Sequence, residues 1–344
     1  NRKLNKTFND GTNFVLQKYS DLFDEVFILV PGDGRSIDIE YVDNFIILNG
    51  KGKTVFSRIF YYLKILFLCK KMILKITNEF DHIQFRHPSF FVFFVQRLTK
   101  NKNLSIYLSG NWKEAFNLNY PYLKLFGSVL DILVAKSIKN HKVISAGSKL
   151  SKWANDRGAK SIPYISTTHT ECLNVKKSKS VLIVSIVGAL TKLKGVLEVF
   201  CLASELEKQN ITYNIHILGD GPLKEHVMVM SKKYKSISVH GSLERAEVYN
   251  YMKKSHFLFH PSYSEGTPKV ISEAMSLGCI PIARLSVGSI DDLFIEGSSG
   301  INLDLYNYKL LTNKLISLFS NNEYFEIFQK NIFKSCKEKN MNVQ

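Results

Sequence analysis

Nowhere in the 344 residues do about 18 apolar residues follow one another without a charge, so no membrane-spanning helix is expected. Cysteine is scarce: Cys69, Cys172, Cys201, Cys279 and Cys336 lie far apart, with no CxxC and no Cys/His spacing of a metal site. That excludes a disulfide scaffold and a zinc module, and it points to reduced thiols in a cytoplasmic setting. The opening NRKLNKTFNDG lacks an apolar h-region and an initiator Met, and it reads poorly as a strand. No secretory leader is expected, and the first strand of the leading domain is expected to be missing. RNP-like, zinc-knuckle and recognition-helix signatures are absent too, which argues against nucleic acid as a partner.

Acidic residues are the other shortage. Lys and Arg number 46 against 30 Asp and Glu, a formal charge of +16. The excess is uneven: residues 1–160 hold 25 basic and 13 acidic residues (+12), and 161–344 hold 21 and 17 (+4). A basic face therefore belongs to the first half, where an anionic membrane or a phosphorylated substrate could meet it. The segment Thr54–Ile76, TVFSRIFYYLKILFLCKKMILKI, is a long apolar helix punctuated by Arg58, Lys64, Lys70, Lys71 and Lys75. Two readings stand open for it: a core helix with snorkelling lysines, or a helix lying on anionic lipid.

What is present is ordinary in bulk and regular in pattern. With 45% hydrophobic and 22% charged residues the chain folds as a globular protein, and its length suits two domains. From Ser180 onward short apolar runs alternate with amphipathic ones. Strands are expected at 181–188, 213–219, 237–241, 257–262 and 279–283, with helices from about 196, from 223, and at 246–254 and 268–277. The helix from 196 carries an apolar stripe of Val196, Val199, Phe200, Ala203 and Leu206. The first half repeats the rhythm less cleanly: strands at 25–30, 45–48, 81–85, 104–108 and 142–146, helices near 12–23, 54–76, 88–98, 120–139 and 148–157. Such alternation implies βαβ units and a doubly wound parallel sheet in each half. The expected organisation is an α/β domain over 1–165 and a linker at 166–180. A second α/β domain follows over 181–320, then a helical tail, 321–344, that could cross back to the first domain.

The run HPSYSEGTPKVISEAMSLGCIPIAR, His260 to Arg284, carries the chemistry. A strand ends near Ser262, and Thr267 as N-cap with Pro268 at the first helical position would start a helix that Gly278 ends. Backbone amides at 267–270 would then face outward and receive an anion such as a diphosphate. Glu265 stands before that helix and Glu273 inside it. A carboxylate accepts two hydrogen bonds, which suits paired sugar hydroxyls.

Together with VGALTKLKG (187–195), HILGDGP (216–222), SVHGSL (238–243) and VGSIDDLF (287–294), this run resembles the donor site of retaining GT-B glycosyltransferases, glycosyltransferase family four. The resemblance implies the GT-B fold, two Rossmann-like domains facing across a cleft, and sugar transfer from a nucleotide diphosphate with retention of configuration. It assigns Glu273 to the donor ribose and Glu265 to the transferred sugar. Gly266, Thr267, Pro268 and Lys269 fall to sugar and phosphate, and Lys194 to the diphosphate. Gly241 and Leu243 would line the base pocket. Gly219 and Gly221 would make a close backbone approach, although an ordinary strand-end turn explains them as well. Where the family carries an arginine after the strand glycine, this chain has Ala189, and Lys192 is the candidate substitute. No metal or other cofactor is implied, since Lys194 and the helix end stand in for one and no Asp-x-Asp occurs.

In the first half the resemblance is thinner. Gly11 would approach donor or acceptor, or simply make the turn before a helix. Arg86, His87, Ser109, Asn111 and Trp112 are acceptor-side candidates at strand ends, with Ser109 where the family often has a histidine; His82 reads as structural. The implied partners are a nucleotide-diphosphate sugar, with UDP the default, and a glycan or lipid-linked acceptor of cell-surface polysaccharide synthesis at the inner membrane face. The alternatives are a weakened nucleotide-sugar-binding paralogue and an epimerase on the same architecture. A glycosidase, which needs a general acid for an alcohol leaving group, fits less well than a transferase whose leaving group departs once its charge is compensated.

Overall fold

The apolar runs of the first half become strands in the computed structural model, which describes residues 19–32, 44–49, 60, 63–64, 67–68, 70–71, 73–75, 78–99, 103–111, 113, 124–165, 172–173, 175, 177–178 and 180–340. Phe27–Gly32 (β1) and Asn44–Asn49 (β2) pair in parallel. A second sheet orders Ile83–His87 (β3), Leu104–Leu108 (β4), Lys142–Ala146 (β5) and Lys160–Tyr164 (β6) side by side, with β3 and β4 parallel. Helices Phe90–Leu98 (α1), Lys124–Ile138 (α2) and Ser148–Asn155 (α3) connect them. Ser89 caps α1 by accepting from the Val92 amide.

Strand β6 was not expected from KSIPY, which is short, polar and contains Pro163. It closes one side of its sheet, and an edge position tolerates a residue that cannot donate to a ladder.

The second half holds six parallel strands: Leu182–Val187 (β7), Tyr213–Leu218 (β8), Ile237–Gly241 (β9), Phe257–His260 (β10), Ile280–Ala283 (β11) and Ile301–Asn302 (β12). Their order is β12-β11-β10-β7-β8-β9. The chain thus winds outward from β7 to β9, then returns to the other side of β7 and winds outward again. Helices Val199–Lys208 (α4), Lys224–Ser231 (α5), Arg245–Lys254 (α6), Lys269–Ser276 (α7), Tyr308–Ser320 (α8) and Asn322–Asn340 (α9) cover the sheet.

Because helices lie on both faces, the central strands are buried and mostly apolar: all four residues of β10 and of β11 are buried. Phe257 and Phe259 are wholly enclosed, each contributing roughly 2–3 kcal/mol from burial. The anticipated stripe Val196, Val199, Phe200, Ala203 and Leu206 is buried in full, with Val196 in a 3₁₀ turn ahead of α4.

The tail helix α9 lays Phe325, Phe328, Ile332 and Cys336 into this same core, against α7, α8 and β11. Part of the presumed linker is docked as well. The Leu173 amide donates to Ser276 O, and the buried Lys177 ammonium donates to the carbonyls of Met252, Lys253 and Leu277 at 3.1, 2.9 and 2.8 Å. A cation there satisfies the orphan carbonyls at the C-terminal ends of α6 and α7. Desolvation pushes the Lys177 pKa down, partly countered by Cys279 beside it.

By internal contacts the described residues divide into two units: 1–109, 132–144 and 154–161 in one, and 110–131, 145–153 and 162–344 in the other. None of the described helices is long and apolar enough to cross a membrane.

Candidate functional site

The strand order changes direction between β7 and β10, and loops leaving adjacent strands in opposite directions open a crevice at their C-terminal ends. A hollow lies there, lined by Ile186–Leu190, Lys194, Val196 and Phe259–Pro261. The loop after β7 is pressed against the loop after β10 at Gly195. This residue has φ 63°, and a Cβ there would stand 2.2 Å from Pro261 O. Only glycine fits, and the close approach brings Lys194 to Glu265.

The Lys194 Nζ donates to Glu265 Oε1 at 2.5 Å, and His260 Nε2 lies 2.9 Å from the same oxygen. Glu265 is only 9% exposed. Burial by itself would raise its pKa, but the His260 hydrogen bond and the Lys194 ammonium outweigh that and hold it at about 2. An ionised carboxylate only accepts, so His260 carries its proton on Nε2. Both donors fall on Oε1, and no hydrogen bond to Oε2 is recorded among the described residues.

The loop carrying Glu265 is pinned from the far side. Ser289 N donates to Gly266 O at 2.9 Å, and a Cβ on Gly288 (φ 53°) would lie 2.5 Å from Glu265 O and Gly266 O. That contact explains the Val-Gly-Ser of the 287–294 block. Helix α7 then starts one residue later than expected: Pro268 is the N-cap, and Thr267 caps nothing. The Thr267 Oγ1 is buried without a partner, a state that native proteins seldom leave unless a ligand or water completes it. Beside it the first turn of α7 directs its amides out of the helix, with the positive end of the dipole.

Glu273, one turn after Lys269 on the same face of α7, is 17% exposed and accepts from Arg245 Nη2 at 3.2 Å. The Arg245 guanidinium also donates to the Tyr249 hydroxyl at 2.8 Å and covers that ring at 5.1 Å. Arg245 opens α6, two residues after the Gly241–Leu243 segment, so the Glu273 carboxylate meets a cation and not hydrocarbon.

Other candidates are placed differently. Gly219 and Gly221 approach backbone: added Cβ atoms would lie 1.9 Å from Gly188 O and 2.7 Å from Leu190 O. They let the loop after β8 pack under the loop after β7, so the strand-end turn is their structural role. Gly241 has φ 74°, a Cβ there would touch the Lys224 side chain at 3.5 Å, and Leu243 is half-buried. Ala189 and Lys192 are exposed on the loop after β7.

In the first half, His87 is corrected from a site candidate to an interior residue. It is 0% exposed, its Nε2 meets Gln96 Oε1 at 2.9 Å, and desolvation lowers its pKa. Arg86 is exposed, with its guanidinium 5.4 Å from the Tyr107 ring centre. The Ser109 hydroxyl donates to His87 O, and Asn111 accepts from the Lys113 amide. His82 is tied to Ser105, in keeping with a structural part. Gly11 and Trp112 lie outside the described residues.

Sequence reasoning missed His260 and Arg245. A histidine closing an apolar strand right before Pro-Ser was the available signal for the first. The second had none beyond its place after the SVHGSL block.

A parallel doubly wound sheet whose strand order reverses between β7 and β10 defines a Rossmann-like domain of the GT-B type. Residues 173–335 match the family described as Glycosyl transferases group 1. It is 30% identical over 139 residues to an uncharacterised glycosyltransferase of Methanocaldococcus jannaschii, covering 40% of this chain and 38% of the relative. It is 32% identical over 108 residues, 31% of this chain and 25% of the relative, to a Bacillus subtilis glycosyltransferase whose name places it in teichuronic acid biosynthesis. The chain therefore spans well under half the length of these curated relatives. Among solved structures, HepE of Anabaena in complex with UDP superposes with a TM-score of 0.70 at 13% identity, covering 98% of this chain and 95% of that one. The fold of this chain is accordingly the GT-B glycosyltransferase fold.

Proposed function

We propose that the protein is a retaining glycosyltransferase that moves a sugar from a nucleotide-diphosphate sugar, with UDP the favoured nucleotide, to a glycan or lipid-linked acceptor in cell-surface polysaccharide synthesis. The observation that carries the reading is the Lys194–Glu265–His260 cluster, set beside the first turn of α7 at the strand switch point. HepE, which shares the fold, binds UDP and UDP-glucose, and this supports the donor class. The Bacillus subtilis relative's name supports the polysaccharide setting.

In this mechanism the Lys194 ammonium and the α7 amides compensate the charge that grows on the departing diphosphate. No general acid is then required, and the acceptor proton passes to the leaving phosphate on the face that the acceptor attacks. Glu265, ionised and fixed through Oε1, presents its other oxygen to the transferred sugar and stabilises positive charge developing there. Glu273 accepts from the ribose hydroxyls, sharing its carboxylate with Arg245. Thr267 offers a hydroxyl to the sugar or phosphate. The Lys194–Glu265 contact is the resting arrangement, and a diphosphate draws the ammonium toward itself.

Membrane attachment belongs to the same reading. Phe60, Phe67 and Leu68 are 73, 86 and 67% exposed, and Lys64, Lys70, Lys71 and Lys75 are exposed around them. Ile73 in the same segment is fully enclosed, so one end is held while the apolar residues before it face outward. Aromatic and aliphatic side chains among lysines suit an anionic lipid surface.

The test is incubation with UDP-, GDP- and ADP-sugars and analysis of the released nucleotide and the anomeric product. Nucleotide release with retention supports the reading. Donor binding without release in any acceptor mixture would favour a weakened paralogue, and a sugar isomerised on its nucleotide would favour an epimerase.

A further inference from the structure

A second hollow opens at the C-terminal ends of β10, β11 and β12, on the far side of the Glu265 loop. It is a broad, open hollow of about 310 Å³ lined by Glu198, Tyr263, Arg284, Leu303, Tyr306 and Tyr308, none of which lines the hollow between β7 and β10. Pockets for small molecules begin at about this size.

Its wall is a closed polar network. The Arg284 Nη2 donates to both Glu198 oxygens at 2.7 Å, and its Nη1 reaches Asp304 Oδ1 at 3.4 Å. The Tyr308 hydroxyl donates to Glu198, and the Glu198 carboxylate beside the Tyr263 phenol helps push its pKa up. Glu198 is thereby saturated and acts as scaffold. Its work is to hold the Arg284 guanidinium 4.8 Å from the centre of the Tyr263 ring. The Tyr306 hydroxyl is held in turn by Glu296 at 2.8 Å. An ion network this enclosed is seldom a net source of stability, so a well-packed apolar set would serve the fold as well.

Two groups are left over. Arg284 Nε is buried with no partner among the described residues, and Tyr263, which lines the hollow, is 44% exposed.

The chemistry of the lining selects among ligands. Arg284 is matched by Glu198, and Asp304 and Glu296 add negative charge around it, so a phosphate or nucleotide is repelled. Phenolic rings offer flat apolar faces, and the Arg284 Nε–H is the donor left without a partner among the described residues. A ring with apolar C–H faces and hydroxyls around its edge satisfies both.

We propose that this hollow binds an uncharged sugar residue, separate from the nucleotide site and two residues along the loop from Glu265. An acceptor chain and a free sugar share that chemistry, and length dependence separates them: a growing chain binds as di- or trisaccharide more tightly than as monosaccharide. The assignment does not rest on the donor reading, because its readout is neutral sugar alone.

The experiment is saturation-transfer NMR on the full chain. The probes are methyl glycosides and the corresponding disaccharides of glucose, galactose and N-acetylglucosamine, each with and without saturating UDP. Expected is transfer to at least one of these sugars that persists under UDP, falls about tenfold in affinity in Tyr263→Ala and stays within about threefold in Tyr263→Phe. UDP affinity should be equal in all three proteins. The proposal is overturned if none of the sugars binds, if UDP abolishes the signal, or if Tyr263→Ala binds as the parent does. Failure of the donor reading looks different: the sugars bind and no nucleotide does.

Discussion

Glu265 Oε1 carries two donors, and that crowding has a consequence in acid. A carboxyl held at about 2 instead of its ordinary 4.5 contributes stability that is complete above the ordinary value and lost as pH falls toward 2. The contribution is on the order of 3 kcal/mol for a group this enclosed. Thermal denaturation between pH 5.5 and 2.5 should show a steep loss of Tm, and Glu265→Gln should flatten it; an unchanged slope in the variant would place the acid sensitivity elsewhere. His260 acts through Glu265 and is a positioning residue. His260→Phe should cut kcat about tenfold with donor KM little changed, and His260→Gln, which keeps a donor in reach, should recover most of it. If Phe and Gln behave alike, the hydrogen bond is not what matters. At Ala189 a guanidinium restored by Ala189→Arg should tighten UDP binding several-fold, since a charge-assisted phosphate contact contributes on the order of 1–2 kcal/mol. Calorimetry giving equal or weaker affinity would show that Lys194 and α7 already satisfy the phosphates.

At the scale of elements, the loop from Gly188 to Gly195 is the part most sensitive to change. Gly195→Ala forces a Cβ against the Pro261 carbonyl from a left-handed backbone, and both partners are main chain. The expected result is a loss of at least about 2 kcal/mol of stability together with nucleotide binding, read by urea denaturation and UDP titration. A stable Gly195→Ala protein that binds UDP normally would mean that the two loops need not touch. These same elements show what the sequence could disclose. Strands β7, β10 and β11 were legible because a strand covered on both faces is apolar at nearly every position, a local signal. Strand β6 was not, because KSIPY owes its place to a neighbouring edge. The start of α7 was legible to within a residue from Thr-Pro, but whether Thr267 caps or stands unpartnered depends on how Gly288 and Ser289 pin the loop. Lys177 looked like linker for a similar reason: its partners are carbonyls of two helix ends 75 and 100 residues away. The site was legible where it followed one loop, at Glu265 and Glu273. It was not where strand order brings distant residues together, as with Glu273 and Arg245.

For the whole molecule, charge and chemistry are divided between halves: +12 lies in residues 1–160, while the carboxylates and Lys194 lie in the rest. Association with vesicles of anionic lipid should therefore fall steeply with salt and depend on the 60–75 segment, at roughly 1 kcal/mol per engaged basic residue. Sedimentation with Phe67→Ser combined with Lys70→Ser should lose most of the binding while UDP affinity is kept; no binding by the parent protein at low salt would remove the membrane from the account.

Titration calorimetry of UDP, GDP and ADP into the parent chain and into Lys194→Ala addresses the switch-point site most directly. One of the three nucleotides should bind the parent, and losing the ammonium should weaken it by about 10- to 100-fold, as expected for a charge-assisted contact at a partly enclosed phosphate. No binding of any of them, or equal affinity in the two proteins, would contradict it.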